Sequence, residues 1–248
     1  MAHIILTGAT GQAGAAVLAH CLSSPSISRV SILSRRPVKL AEGQPKANVI
    51  IHTDFSEYPP DVLFQLKGAT GCVWAQGISS RGMQESEYAK ITVDYPLAAA
   101  KAFADLSVGD GESKGASMKF IYMSGEGADI NEKARTMFGR IKGRAERQLL
   151  DLQDMHTGLR VYAVRPAIIN PQGKYLAERS VTMHDRGSTW IGGLSAIIFK
   201  SFEIPASTLA KVCVDLATGD GAPVATGKGV EEEGRLLSNI ALRTLGGL

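Results

Sequence analysis

The segment that most constrains this chain lies at its start. His3-Ile4-Ile5-Leu6-Thr7 is a short apolar run with β-branched residues. Such a run predicts a strand buried on both faces, as in a parallel sheet. Gly8-Ala9-Thr10-Gly11-Gln12-Ala13-Gly14 follows at once, and Ala15 to Leu22 reads as a helix closed by Ser23-Ser24-Pro25. Strand, G-x-x-G-x-x-G turn and helix in direct succession predict a pyrophosphate-holding loop. Glycine permits the unusual backbone angles, the close approach of the anion and the tight packing of helix on sheet. Free N–H groups and the positive end of the helix dipole then hold the charge. Gly8, Thr10, Gly11, Gln12, Ala13 and Gly14 are therefore the expected cofactor-binding residues of this loop.

The rest of the chain repeats the alternation. Arg29–Ser34, Asn48–His52, Gly71–Ala75, Lys119–Ser124 and Leu159–Arg165 read as further strands. Pro60–Leu66, Glu85–Leu106 and Glu132–Met155 read as helices, with Pro96 kinking the second of these or starting a new one. Strands alternating with helices predict an α/β fold with a doubly wound, mostly parallel sheet, the Rossmann arrangement. We expect a single domain over residues 1–248. Beyond Pro166 the pattern turns polar and irregular, and residues 170–248 are expected to contribute a small C-terminal substrate cap. Ala206–Thr218 reads as an amphipathic helix of that cap, with Ser207 or Thr208 near its N-cap.

Composition removes several function classes. Hydrophobic residues make up 44% and charged residues 21%, which argues against disorder. The net charge of +3 gives no case for a nucleic-acid or anionic-membrane partner. Cys21, Cys72 and Cys213 are odd in number and far apart, and the histidines lack metal-ligand spacing, so neither a disulfide framework nor a metal site is expected. No apolar run reaches the roughly 18 residues of a membrane-spanning helix, and Met1 leads straight into a strand. A reducing, cytoplasmic location is the expectation.

The strand ends converge on the carboxyl edge of the sheet, where ligands of open α/β sheets bind. The second strand ends in Ser34-Arg35-Arg36. Enzymes using NAD place an acid near this point, about 20 residues past the glycines, on the ribose 2′-hydroxyl. Two arginines stand here instead, and the planar guanidinium fork suits a 2′-phosphate. NADP(H) is the expected cofactor. Asp54 and Phe55 follow the third strand and would border the adenine; Gln76 and Gly77 follow the fourth and would pass beneath the ribose. Ser124 ends the fifth strand, and Pro166 and Ile168 follow the sixth and would border the nicotinamide.

These residues resemble the short-chain dehydrogenase/reductase superfamily, most closely its atypical, NmrA-like and epimerase-like branch. The resemblance rests on Thr7-Gly8-Ala9-Thr10-Gly11-x-x-Gly14, Arg35-Arg36, Ala75-Gln76-Gly77, Ser124, Phe138-x-x-x-Lys142 and Arg165-Pro166. It covers about the first two-thirds of the chain. In that family a serine orients the carbonyl and a tyrosine donates the proton. A lysine at i+4 lowers the tyrosine pKa and holds the nicotinamide ribose. Ser124 and Lys142 match, but Phe138 occupies the tyrosine position and cannot donate a proton.

Three explanations compete. Another group replaces the phenol: Tyr122 on the serine strand, or Tyr175 or His184 in the cap. The substrate needs no acid, as with an iminium or a conjugated acceptor. Or no hydride moves, and the site isomerises, cyclises or senses. The resemblance implies an NADP(H)-dependent oxidoreductase of a small organic molecule, and a homodimer joined through the long helices is compatible with it. Trp190, Ile197, Ile198 and Phe199 suggest an apolar substrate or else form a packed cap core. A competing reading of Lys142 makes it an exposed charge beside Arg140 and Arg144.

Overall fold

The computed structural model describes residues 1–106, 117–174 and 202–248. Six parallel strands form the body of one sheet: β1 (Ala2–Thr7), β2 (Ile27–Ser34), β3 (Ala47–Ile51), β4 (Gly71–Trp74), β5 (Met118–Met123) and β6 (Leu159–Arg165). Their spatial order is β3-β2-β1-β4-β5-β6. The order reverses between β1 and β4, which makes the carboxyl ends of these two strands the switch point where such folds bind ligands. The central strands are apolar on both faces because helices cover both: β4 and β5 are buried at every position.

The helices are α1 (Gln12–Ser23), α2 (Pro60–Leu66), α3 (Glu85–Ala89), α4 (Tyr95–Phe103), α5 (Met137–Met155), α6 (Ala206–Thr218) and α7 (Asn239–Leu245). One core, with Leu6, Val17, Leu18, Val73, Leu209 and Val212, lies where α1 and α6 meet the sheet. The other, with Trp74, Phe103, Phe120, Ile141 and Leu149, lies beneath α4 and α5.

A π-helical turn, Lys90–Asp94, joins α3 to α4. Pro96 explains it. Proline has no N–H, so the carbonyl of Thr92, four residues earlier, loses its helical donor. The buried hydroxyl of Tyr122 donates to that carbonyl at 3.0 Å. Pro96 therefore stands in the first turn of α4, as one of the two expectations had it; the turn before it widens, and a side chain from β5 closes the open bond.

One boundary differs from expectation. Helix α5 starts at Met137, not Glu132. The Asp129 carboxylate accepts the backbone N–H groups of Asn131 and Lys133 at 3.0 and 2.8 Å, and Glu132 takes a left-handed conformation at φ 57°. The helix begins only where the Thr136 hydroxyl accepts the Gly139 N–H at 3.1 Å. The described elements of the span 170–248 lie as follows. Helix α6 packs against α1 and the sheet, and its N-cap is Pro205, so neither Ser207 nor Thr208 caps it. Strand β10 (Leu236–Ser238) pairs parallel to β6, and β9 (Val230–Glu231) pairs antiparallel to β10. Among the described residues, β7 (Ile168–Asn170) and β8 (Glu203–Pro205) form a separate two-stranded ribbon just beyond β6. Tyr175, His184, Trp190, Ile197, Ile198 and Phe199 lie outside the described residues.

Candidate active site and cofactor cleft

The glycine turn is built as its spacing requires. Gly8 sits at φ 70°, and a Cβ there would stand 2.4 Å from the Ala75 carbonyl oxygen. A Cβ on Gly14 would stand 2.1 Å from the Gly8 carbonyl oxygen. Both positions therefore exclude side chains, and the backbone of β1, α1 and the β4 end come together. Gly11 is the N-cap of α1; its N–H donates to Gly8 O at 2.9 Å and its carbonyl accepts from Ala15 N at 2.8 Å.

A cleft of about 410 Å³ opens over this turn. Gly8, Thr10 and Gly11 form its floor, Arg35, Arg36 and Phe55 one side, and Gln76 and Gly77 the other. Leu33, Ser34 and Ala75 also line it, as their strand-end positions allow. The Ser34 hydroxyl donates to Arg36 O at 2.7 Å and accepts from Arg36 N at 3.3 Å, shaping the turn that carries both exposed arginines. Among the described residues no carboxylate lines the cleft. Asp54 is exposed beside it, and its carboxylate accepts the Ser56 N–H at 2.9 Å, which holds it below the usual carboxylate range.

Gln12 and Ala13 occupy the first turn of α1. The Gln12 amide reaches across to donate to Ile169 O at 2.6 Å, tying the glycine loop to β7. Pro166 and Ile168 bracket the link between β6 and β7. The Pro166 carbonyl accepts from Glu126 N at 2.9 Å, and Ile168 is exposed.

Ser124, Phe138 and Lys142 come together at the end of β5. The Phe138 ring lies against Gly125, its tip 2.8 Å from where a Cβ on that glycine would stand. The Ser124 hydroxyl is buried and has no hydrogen-bond partner among the described residues. Lys142 is buried, so it is not the exposed charge that its neighbours suggested. Those neighbours pair outward instead, Arg140 with Glu85 and Arg144 with Glu132. The Lys142 ammonium donates to Met123 O at 2.9 Å and sits 5.0 Å from the centre of the Tyr122 ring. Burial lowers its pKa to about 8 from the ordinary 10.5, with Glu146 opposing the shift.

Tyr122 is occupied structurally. Its hydroxyl is bonded to Thr92, and burial pushes its ionisation well above the ordinary value. Glu146, absent from the expected site, is fully buried one helical turn beyond Lys142. It meets Arg165 through two bonds, 2.8 Å from Nε and 2.5 Å at the other oxygen. The Lys-x-x-x-Glu spacing is visible in the sequence; its arginine partner, 19 residues away, is not.

The cradle fits a dinucleotide. Two glycines exclude side chains from the phosphate turn, and a helix N-terminus opens onto the cleft. Structural comparison gives the fold. A short-chain dehydrogenase/reductase from Mycobacterium ulcerans superposes with a TM-score of 0.65 at 16% identity, covering 97% of this chain and 90% of that one. The fold is that of the short-chain dehydrogenases/reductases. No protein-family model matches the sequence. A nearer relative is the leucinostatins biosynthesis cluster protein T of Purpureocillium lilacinum, 31% identical over 264 residues, 97% of this chain and 94% of that protein. The chain belongs to the same family as this biosynthetic-cluster protein. The protein fmp52, mitochondrial, of Emericella nidulans is 28% identical over 150 residues, 59% of each chain. Among the described residues no helix is long and apolar enough to cross a membrane.

Proposed function

We propose that this protein is an NADP(H)-dependent oxidoreductase of a small, fairly apolar organic substrate carrying a carbonyl, an imine or iminium, or a conjugated acceptor. The observation that carries the cofactor choice is the cleft rim: Arg35 and Arg36 border it, and among the described residues no carboxylate lines it. A guanidinium pair favours the extra phosphate of NADP over a bare ribose hydroxyl. A bound dihydronicotinamide supplies the hydride. The chain's own residues do the rest. The glycine turn and the α1 N-terminus hold the pyrophosphate, Phe55 borders the adenine, and Lys142 turns from Met123 O to the nicotinamide ribose. Ser124 donates its unused hydroxyl to a substrate oxygen or nitrogen. Phe138 offers an apolar wall and a ring face, which suits a flat or cationic substrate.

The biosynthetic-cluster name of the relative supports a tailoring reaction on a small molecule. The partners proposed are that substrate and a second copy of this chain, with no nucleic acid and no membrane. The cytoplasm is the proposed location, set against the mitochondrial name of one relative. We place the chain in the NmrA-like branch of its fold class. Phe138 in the proton-donor position supports one rival, a cofactor-retaining isomerase, cyclase or sensor. Nicotinamide absorbance followed with carbonyl and imine panels decides between them. NADPH consumption matched to product supports the oxidoreductase. Substrate conversion without absorbance change, or tight NADPH binding with no conversion, contradicts it.

A further inference from the structure

The geometry points to Glu146 and Arg165 as a positioning pair that decides where the Lys142 ammonium rests and how much negative charge it meets. The inference rests on Lys142 being the ribose-holding lysine of the reading above. Lys142 and Glu146 are one turn apart on α5, and both are buried. Left alone, such a pair would close on itself, and the ammonium would swing along the helix away from Ser124. Arg165 prevents this. It comes from the end of β6 and engages both oxygens of Glu146, at 2.8 and 2.5 Å. Both carboxylate oxygens are thereby engaged by the guanidinium, and Lys142 takes Met123 O instead, beside Ser124.

The surroundings are few. Tyr122 on β5 presents its ring face to the ammonium, and Tyr88 on α3 lies beyond Tyr122. Glu231 on β9 stands 3.6 Å from Arg165 on the outer side, and Glu126 also acts on Arg165. Lys142 thus meets a carboxylate whose charge is already offset by a guanidinium. That arrangement keeps the ammonium near the ribose position and leaves its proton loosely held. A lysine paired directly with Glu146 would be fixed and charged at all working pH values.

The test reads Lys142 itself. Its side-chain 13Cε resonance, assigned by its loss in Lys142→Met, is titrated in the full-length protein. Glu146→Gln removes the carboxylate and keeps its shape; the midpoint should fall by about one pH unit, a tenfold change in proton affinity. Arg165→Gln frees the carboxylate for the lysine; the midpoint should rise by a similar amount. The shifts are opposite in sign, whereas a merely structural pair would lower thermal stability in both variants and leave the midpoint unmoved. Either variant suffices if the other does not fold. NADPH affinity should follow: Glu146→Gln binds like the native protein at pH 6 and several-fold more weakly at pH 7.5. Midpoints that coincide with the native value overturn the pairing. If native protein binds no NADPH, the cofactor reading fails, while the midpoints still decide the role of Glu146 and Arg165.

Discussion

Phe138 is the residue on which the proposed chemistry turns. Its ring packs on Gly125, next to the unpartnered Ser124 hydroxyl and one turn before Lys142. Phe138→Tyr places a phenol beside both. General acid catalysis contributes about 10²–10⁴-fold, so NADPH-dependent reduction of simple ketones or aldehydes should appear or rise measurably in that variant. A lower melting temperature with no reduction across a carbonyl panel would make Phe138 a packing residue. Lys142 carries a second prediction. Its pKa is lowered to about 8 from 10.5, so the folded state disfavours the ammonium. The resulting cost to stability is fully present below about pH 8 and fades as the pH rises toward 10.5. Lys142→Met should therefore raise the melting temperature at pH 7, with a smaller gain near pH 10, while NADPH binds more weakly. A pH-independent gain would show that the lysine is not a buried charge.

The π-turn between α3 and α4 shows how two elements share one unsatisfied bond. Pro96 removes the donor for Thr92 O, and Tyr122 replaces it from the neighbouring strand. Tyr122→Phe leaves a buried carbonyl unpaired, which costs about 1–3 kcal/mol and should be visible in denaturant melts. NADPH affinity and turnover should stay near native, because the phenol is not the proton donor. Loss of turnover with unchanged affinity would reverse that assignment. Gly14→Ala acts at another junction, where the added Cβ meets the Gly8 carbonyl oxygen at 2.1 Å. The glycine loop must move, and NADPH affinity should drop at least about tenfold, or roughly 1.4 kcal/mol, in calorimetric titration. Native affinity in that variant would mean that the loop does not hold the pyrophosphate.

At the scale of the molecule, legibility follows the length of the local signal. The strands buried on both faces, such as Phe120-Ile121-Tyr122, are continuous apolar runs and stand out in the sequence. Pro60–Leu66 is legible through proline in its first turn. Helix α5 is overextended by sequence reasoning because the Asp129 turn imitates helical composition. Strand β10 spans three residues, too short for periodicity to register, so its return to β6 is invisible until the fold places it there. In the site, the glycines and strand ends are legible because each serves the local backbone. The bond from Glu146 to Arg165 depends on the packing of α5 against β6, and no local pattern encodes it.

The proposed preference for NADP(H) resides in the Arg35–Arg36 rim. Calorimetric titration of the native protein and of the Arg35→Ala/Arg36→Ala variant with NADPH and NADH tests it most directly. The account predicts that native protein binds NADPH at least about tenfold more tightly than NADH, and that the double variant loses most of this preference with its NADH affinity retained. Equal affinities of the native protein for the two nucleotides would contradict it.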